Sequence, residues 1–101
     1  MNNCTFSGRV GKDAVVRNTQ SGQSVCGFSL AVDTGYGERK ETLWFDCSLW
    51  GKRAEGGLPQ YLVKGVQVVV SGELGTREHE GKTYLTLNVA NLDLVGGKSE
   101  A

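Results

Sequence analysis

Apolar residues recur at every second position in five separate segments of this chain, a period that belongs to half-buried β-strands and not to helices. In the first, Cys4, Phe6, Gly8 and Val10 alternate with Thr5, Ser7 and Arg9. In the second, Cys26, Phe28, Leu30 and Val32 alternate with Gly27, Ser29 and Ala31. The third puts Leu43, Phe45, Cys47 and Leu49 on one face. The fourth, Val66 to Leu74, sends Val66, Val68, Val70 and Leu74 inward. In the fifth, Leu85, Leu87 and Val89 are in phase, but Leu92 and Leu94 carry the opposite parity, so a β-bulge is expected between them.

The spacers carry turn chemistry: Ser21-Gly22, Thr34-Gly35-Tyr36-Gly37 and Glu80-Gly81-Lys82. Between the third and fourth segments lies the only helix candidate, within Arg53 to Val63. Gly56, Gly57 and Pro59 limit it to a couple of turns, with Leu58, Tyr61 and Leu62 as its apolar side and Lys64-Gly65 closing it. Tyr61 and Tyr84 are expected to complete the core or its rim. Three strands, a short helix and two more strands is the order of the five-stranded Greek-key barrel known as the OB-fold. The expected fold is thus all-β, a single domain over residues 1–95 with a short flexible tail at 96–101.

Composition narrows the functional classes. Eleven Lys and Arg balance eleven Asp and Glu, so any polyanion must be held by a local patch and not by a basic tail. Apolar runs of about five residues are far short of the roughly 18 that span a membrane as a helix. The start, Met1 to Thr5, lacks the charged and apolar regions of a signal peptide, so a soluble, cytoplasmic chain is expected with no membrane partner. Cys4, Cys26 and Cys47 are odd in number and widely spaced, which suits free thiols in a reducing compartment. His79 is the only histidine, and nothing near it has metal-ligand spacing. With no nucleophile and base, no paired carboxylates and no metal set, the expectation is a binding protein without catalytic residues or cofactor.

The third segment carries the functional signal. Opposite its inward residues stand Trp44, Asp46, Ser48 and Trp50, which places two tryptophans on the wrong face of one strand. At roughly 3.3 Å per residue they are about 20 Å apart. A tryptophan facing water forfeits much burial free energy, so a ligand, a loop or a second subunit should cover each. The outward face of strands two and three is where an OB-fold lays extended oligonucleotides, and an indole is a platform for a base. Arg39 and Lys40 before the segment, and Lys52 and Arg53 after it, supply the cations that a phosphate backbone passing stacked bases requires. Arg17, with Arg9 and Lys12, extends that basic path. In the last hairpin His79 and Arg77 are candidates for stacking and phosphate contact, or members of an ordinary solvated hairpin whose charges Glu78 and Glu80 cancel. Tyr36, at the tip of the loop between strands two and three, is a further candidate stacker.

From Asn3 to Gly96 the chain resembles the bacterial and phage single-stranded DNA-binding proteins. The resemblance rests on Asn3-Cys4-Thr5-Phe6-Ser7-Gly8-Arg9-Val10-Gly11-Lys12-Asp13 with Val16-Arg17, on Thr42-Leu43-Trp44-Phe45, and on Leu49-Trp50-Gly51-Lys52-Arg53-Ala54-Glu55. It continues through Tyr61-Leu62-Val63-Lys64-Gly65, Val68 to Leu74 and Thr76-Arg77. It implies that Trp44 stacks on a base and that Trp50 stacks from a position usually held by phenylalanine. It implies cations near the strand at Lys52, Lys64 and Arg77. His79 falls where many members have another tryptophan, Tyr36 aligns loosely with a further aromatic, and Glu78 replaces a common lysine. The implied function is sequence-independent single-stranded DNA binding in replication, repair and recombination, at the nucleoid. The implied assembly is a homo-oligomer, a tetramer or else a dimer, with the edges of Asn3 to Val10 pairing across subunits. The family's long tail with its acidic tip is not seen before Ala101, which implies either a truncated core or a plasmid or phage version whose replication or repair partners dock by another route. The alternative is a primosomal relative acting mainly through protein contacts.

Overall fold

A computed structural model describes residues 1–51, 54, 56 and 58–95 of the 101-residue chain. The backbone of Leu58 is described, but its side chain is not. Six strands follow in order: β1 (Cys4–Val10), β2 (Val15–Asn18), β3 (Ser24–Thr34), β4 (Glu41–Trp50), β5 (Gln67–His79) and β6 (Lys82–Leu94). The strand order β1-β5-β6-β4-β3 closes on itself because β1 also pairs with β3 through Arg9 and Val10. The ring is antiparallel except for β4 and β6, which run parallel from Phe45 opposite Leu85 to Leu49 opposite Val89. This all-β barrel is the expected OB architecture.

The alternation places the core as read. Cys26, Phe28 and Leu30 of β3, Phe45, Cys47 and Leu49 of β4, Val68 and Val70 of β5, and Leu87 and Val89 of β6 are buried together. Fully burying one such aliphatic or aromatic side chain contributes about 1.5–3 kcal/mol. Phe6 packs on Phe45 with ring centroids 4.5 Å apart. Leu43, expected inward, lies near the strand end where the barrel no longer covers it and is exposed.

The expected bulge is present. Ser71 of β5 faces Asn91 while the next residue, Gly72, faces Val89, so β6 carries one extra residue there. That residue restores Leu92 to the core side after Leu85, Leu87 and Val89. At the amino end, Asn2 imitates a strand residue: its Nδ2 donates to the Leu74 carbonyl at 2.6 Å, and the Leu74 N–H donates to its Oδ1 at 2.9 Å.

Three expectations are corrected. Where the sequence predicts a short helix of a couple of turns, the described residues between β4 and β5 show Ala54 in helical conformation and a 3-10 turn, Leu58–Tyr61, with the Leu62 N–H donating to the Pro59 carbonyl. Gly56 and Pro59 leave too few residues for a longer turn to propagate; Arg53, Glu55 and Gly57 lie outside the described residues. Tyr61 does not join the core; Leu62, just after the turn, is buried, and the Ala14 N–H donates to its carbonyl. The sixth strand, β2, is an addition, a short antiparallel partner of β3 from Val15 opposite Gly27 to Asn18 opposite Ser24. The expected tail at 96–101 lies outside the described residues. Among the described residues no helix is long and apolar enough to cross a membrane.

Candidate nucleic-acid interface

β4 does present Trp44, Asp46, Ser48 and Trp50 away from the core, because the opposite parity is committed to Phe45, Cys47 and Leu49. Trp44 is 57% exposed and Trp50 43% exposed. In the neighbouring strand the partners from Trp44 to Ser48 are small: Ala31 faces Trp44, Ser29 faces Asp46, and Gly27 faces Ser48, while Val25 faces Trp50. The surface between the two indoles is therefore low. It is the wall of an open groove of about 410 Å³ lined by Gly27 and Ser29 of β3, Asp46 and Ser48 of β4 and Thr86 of β6. Lys12, Arg17 and Arg77 bring cations to that groove, and Asp13 and Asp46 bring carboxylates.

Trp44 rests on Gly11: a methyl group there would lie 2.5 Å from Cζ3 of the indole. Trp44 lines a second groove with Arg9, Asp33 and Thr42. The first groove, which the indole does not line, has Lys12 from the turn after β1.

Arg77 is held from two directions. Its Nη2 donates to Asp46 Oδ2 at 2.5 Å, and its Cζ stands 5.3 Å from the centre of the Tyr84 ring. Tyr84, directly opposite Arg77 in the β5–β6 ladder, is the floor for that guanidinium and not a core residue. Asp46 acquires a basic partner that the linear sequence does not suggest, 31 residues away.

The remaining candidates are dispersed. Tyr36 is 92% exposed in the loop between β3 and β4, followed by a 3-10 turn at Gly37–Arg39. Lys40 is engaged by Asp33 at 3.5 Å, and Asp33 also accepts from the Thr42 hydroxyl at 2.9 Å. His79 ends β5 opposite Lys82, with its Nε2 3.9 Å from Glu80 Oε1. Lys64 is fixed through its backbone N–H, which donates to Asp13 Oδ1 at 2.9 Å. Trp50, Tyr36, Arg39, Lys40, Lys64 and His79 line neither groove, and Trp44 lines only the second. Lys52 and Arg53 lie outside the described residues. Sequence reasoning kept Lys12 to the margin of the site and gave Gly11 and Tyr84 no part in it. The Lys12 charge was visible, whereas the other two depend on strand pairing.

The model of the single-strand binding protein family matches residues 1–94, nearly the whole of the described barrel. The chain belongs to that family. Among curated relatives, a single-stranded DNA-binding protein of Treponema pallidum (strain Nichols) is 33% identical over 95% of this chain. Single-stranded DNA-binding protein 1 of Synechocystis sp. (strain ATCC 27184 / PCC 6803 / Kazusa) is 35% identical over 99% of it, and protein 3 of Streptococcus agalactiae serotype V (strain ATCC BAA-611 / 2603 V/R) is 38% identical over 89%. The chain spans 58% of the length of the Treponema relative, 88% of the Synechocystis one and 70% of the Streptococcus one. In this family member the two outward tryptophans stand on β4 either side of Asp46 and Ser48, which line the groove that Lys12, Arg17 and Arg77 also line.

Proposed function

We propose that this chain binds single-stranded DNA without sequence preference, as a member of a family whose relatives carry that activity in their names. The observation that carries the reading is the pair of half-exposed indoles on one outward strand face, either side of Asp46 and Ser48, which line a groove supplied with Lys12, Arg17 and Arg77. Bases stack on Trp44 and Trp50, with His79 and Tyr36 as outlying platforms. Phosphates are taken by Arg17 and Arg77 at the groove, and by Arg39, Lys40 and Lys64 beyond it; Lys52 and Arg53 are further candidates from the sequence. Sequence tolerance follows because every base offers a π-face. Catalysis has no part in this activity. Cover for DNA in replication, repair and recombination, at the nucleoid, is the cellular role that fits it.

The chain also acts as a homo-oligomer in this reading. β1 meets β3 only through Arg9 and Val10, and among the described residues its edge from Cys4 to Ser7 has no strand partner on that side. An edge of that kind invites pairing with a second copy. Sedimentation equilibrium of the free protein tests this; a monomer at micromolar concentration would contradict it.

The deciding experiment is a titration of tryptophan fluorescence with oligo(dT) at low and high salt. Strong quenching that weakens with salt is expected, with a log–log slope of about −0.7 for each phosphate neutralised. Absence of quenching at low salt would refute the reading.

A further inference from the structure

Asp46 is the only acidic side chain between Trp44 and Trp50 on the outward face of β4, and it is not idle. Its Oδ2 accepts from Arg77 Nη2 at 2.5 Å while the guanidinium plane is supported by Tyr84. A carboxylate and a phosphate are recognised by the same guanidinium fork. In the free protein, then, the group that the proposed binding assigns to a phosphate already holds an anion. The groove's other carboxylate, Asp13, is engaged elsewhere through the Lys64 N–H.

We infer that Asp46 is an internal phosphate mimic that restrains the affinity of this surface for single-stranded nucleic acid, an inference that rests on the DNA-binding reading above. Docking a phosphate on Arg77 is an exchange of one anion for another. Asp46 released from Arg77 remains beside the docked backbone as a like charge, and it recaptures the guanidinium as the strand leaves. Two consequences follow. Binding is weaker than the cations of the groove alone would give. Its salt dependence is also shallower, because the freed Asp46 carboxylate beside the backbone offsets the phosphate charge that Arg77 neutralises, so fewer of the cations condensed on the strand are released.

The test compares wild type, Asp46→Asn and the double variant Asp46→Asn/Arg77→Gln, titrated with oligo(dT) and oligo(dC) over a range of salt concentrations. The asparagine is nearly the same shape on a half-exposed site, so folding is preserved, and circular dichroism checks it. Asp46→Asn is expected to bind both oligonucleotides roughly fivefold more tightly at low salt, the scale of one exposed charge interaction. Its log–log slope is expected to steepen by about 0.7, and the double variant to lose that gain. Binding by wild type with unchanged or weaker binding by Asp46→Asn overturns this inference and leaves the DNA-binding reading standing. A wild type that does not bind at all overturns both.

Discussion

The indole of Trp44 lies directly on Gly11, with the position of a methyl at residue 11 only 2.5 Å from Trp44 Cζ3 and 2.8 Å from Ser29 Oγ. The absence of a side chain on the turn after β1 therefore sets the attitude of the platform. Gly11→Ala should tilt the ring out of its seat without unfolding the barrel, since the nearest obstacles are side chains. The expected result is a shifted tryptophan emission and a loss of about 1 kcal/mol in oligo(dT) binding, the low end for one stacked base. In a Trp44→Ala background the same change should cost nothing more in affinity.

Trp50 is less exposed than Trp44, and its partner across the ladder is Val25. Trp50→Ala is expected to weaken oligo(dT) binding by roughly 1–3 kcal/mol, and Trp44→Ala by a similar amount. Circular dichroism should stay unchanged in both. Wild-type affinity in a folded variant removes that residue from the platform.

At the β5–β6 bulge the Gly72 Cα faces the Asn88 backbone, and a Cβ there would be driven into the Asn88 carbonyl oxygen. Backbone cannot swing aside as a side chain can. Gly72→Ala should therefore destabilise the barrel by about 3 kcal/mol, read as a lowered urea midpoint. A midpoint equal to wild type would mean the strands can part at no cost.

Burial pushes the Cys47 thiol up to about 12, with the neighbouring Asp46 carboxylate adding to the effect, and burial raises Cys26 as well. An unfolded chain releases these protons near the ordinary value of 9.0 while the folded chain retains them. Stability is thus intact below pH 9 and falls as pH rises from there toward 12, by up to about 1.4 kcal/mol per pH unit for Cys47. Urea midpoints from pH 8 to 11 should show this slope, and Cys47→Ala should flatten it. At pH 8 a thiol reagent should label half-buried Cys4 quickly and the two core cysteines only on unfolding.

The strands were legible because burial on one face imposes a period of two that survives in the residue types, and even the parity slip between Val89 and Leu92 carried its meaning. β2 left no such trace, since all four of its residues are exposed and Val15 and Val16 are adjacent apolar residues with no alternation. The helix expectation was too long at its carboxyl end: Leu62 and the Lys64-Gly65 ending resemble helical signals, but from Leu58 to Tyr61 the backbone takes the tighter 3-10 turn around Pro59. Of the site, the two tryptophans were visible as residues on the wrong face. The pairing of Asp46 with Arg77 was not, because it depends on β4 lying beside β6 and β6 beside β5 in one particular register. Gly11 under Trp44 is hidden in the same way, its role appearing only when β1, β3 and β4 are neighbours.

The bulge in β6 makes this strand intolerant of single-residue insertions and deletions. Its stretch from Leu85 to Val89 is clamped in parallel to β4, and the extra residue follows immediately, before Asn91 resumes pairing with Ser71. Deleting one residue at that joint would rotate Leu92 to the solvent side and put Asp93 in its place. Length variation in descendants of this chain should therefore gather at the hairpin tips and spare the stretch from Leu85 to Leu92.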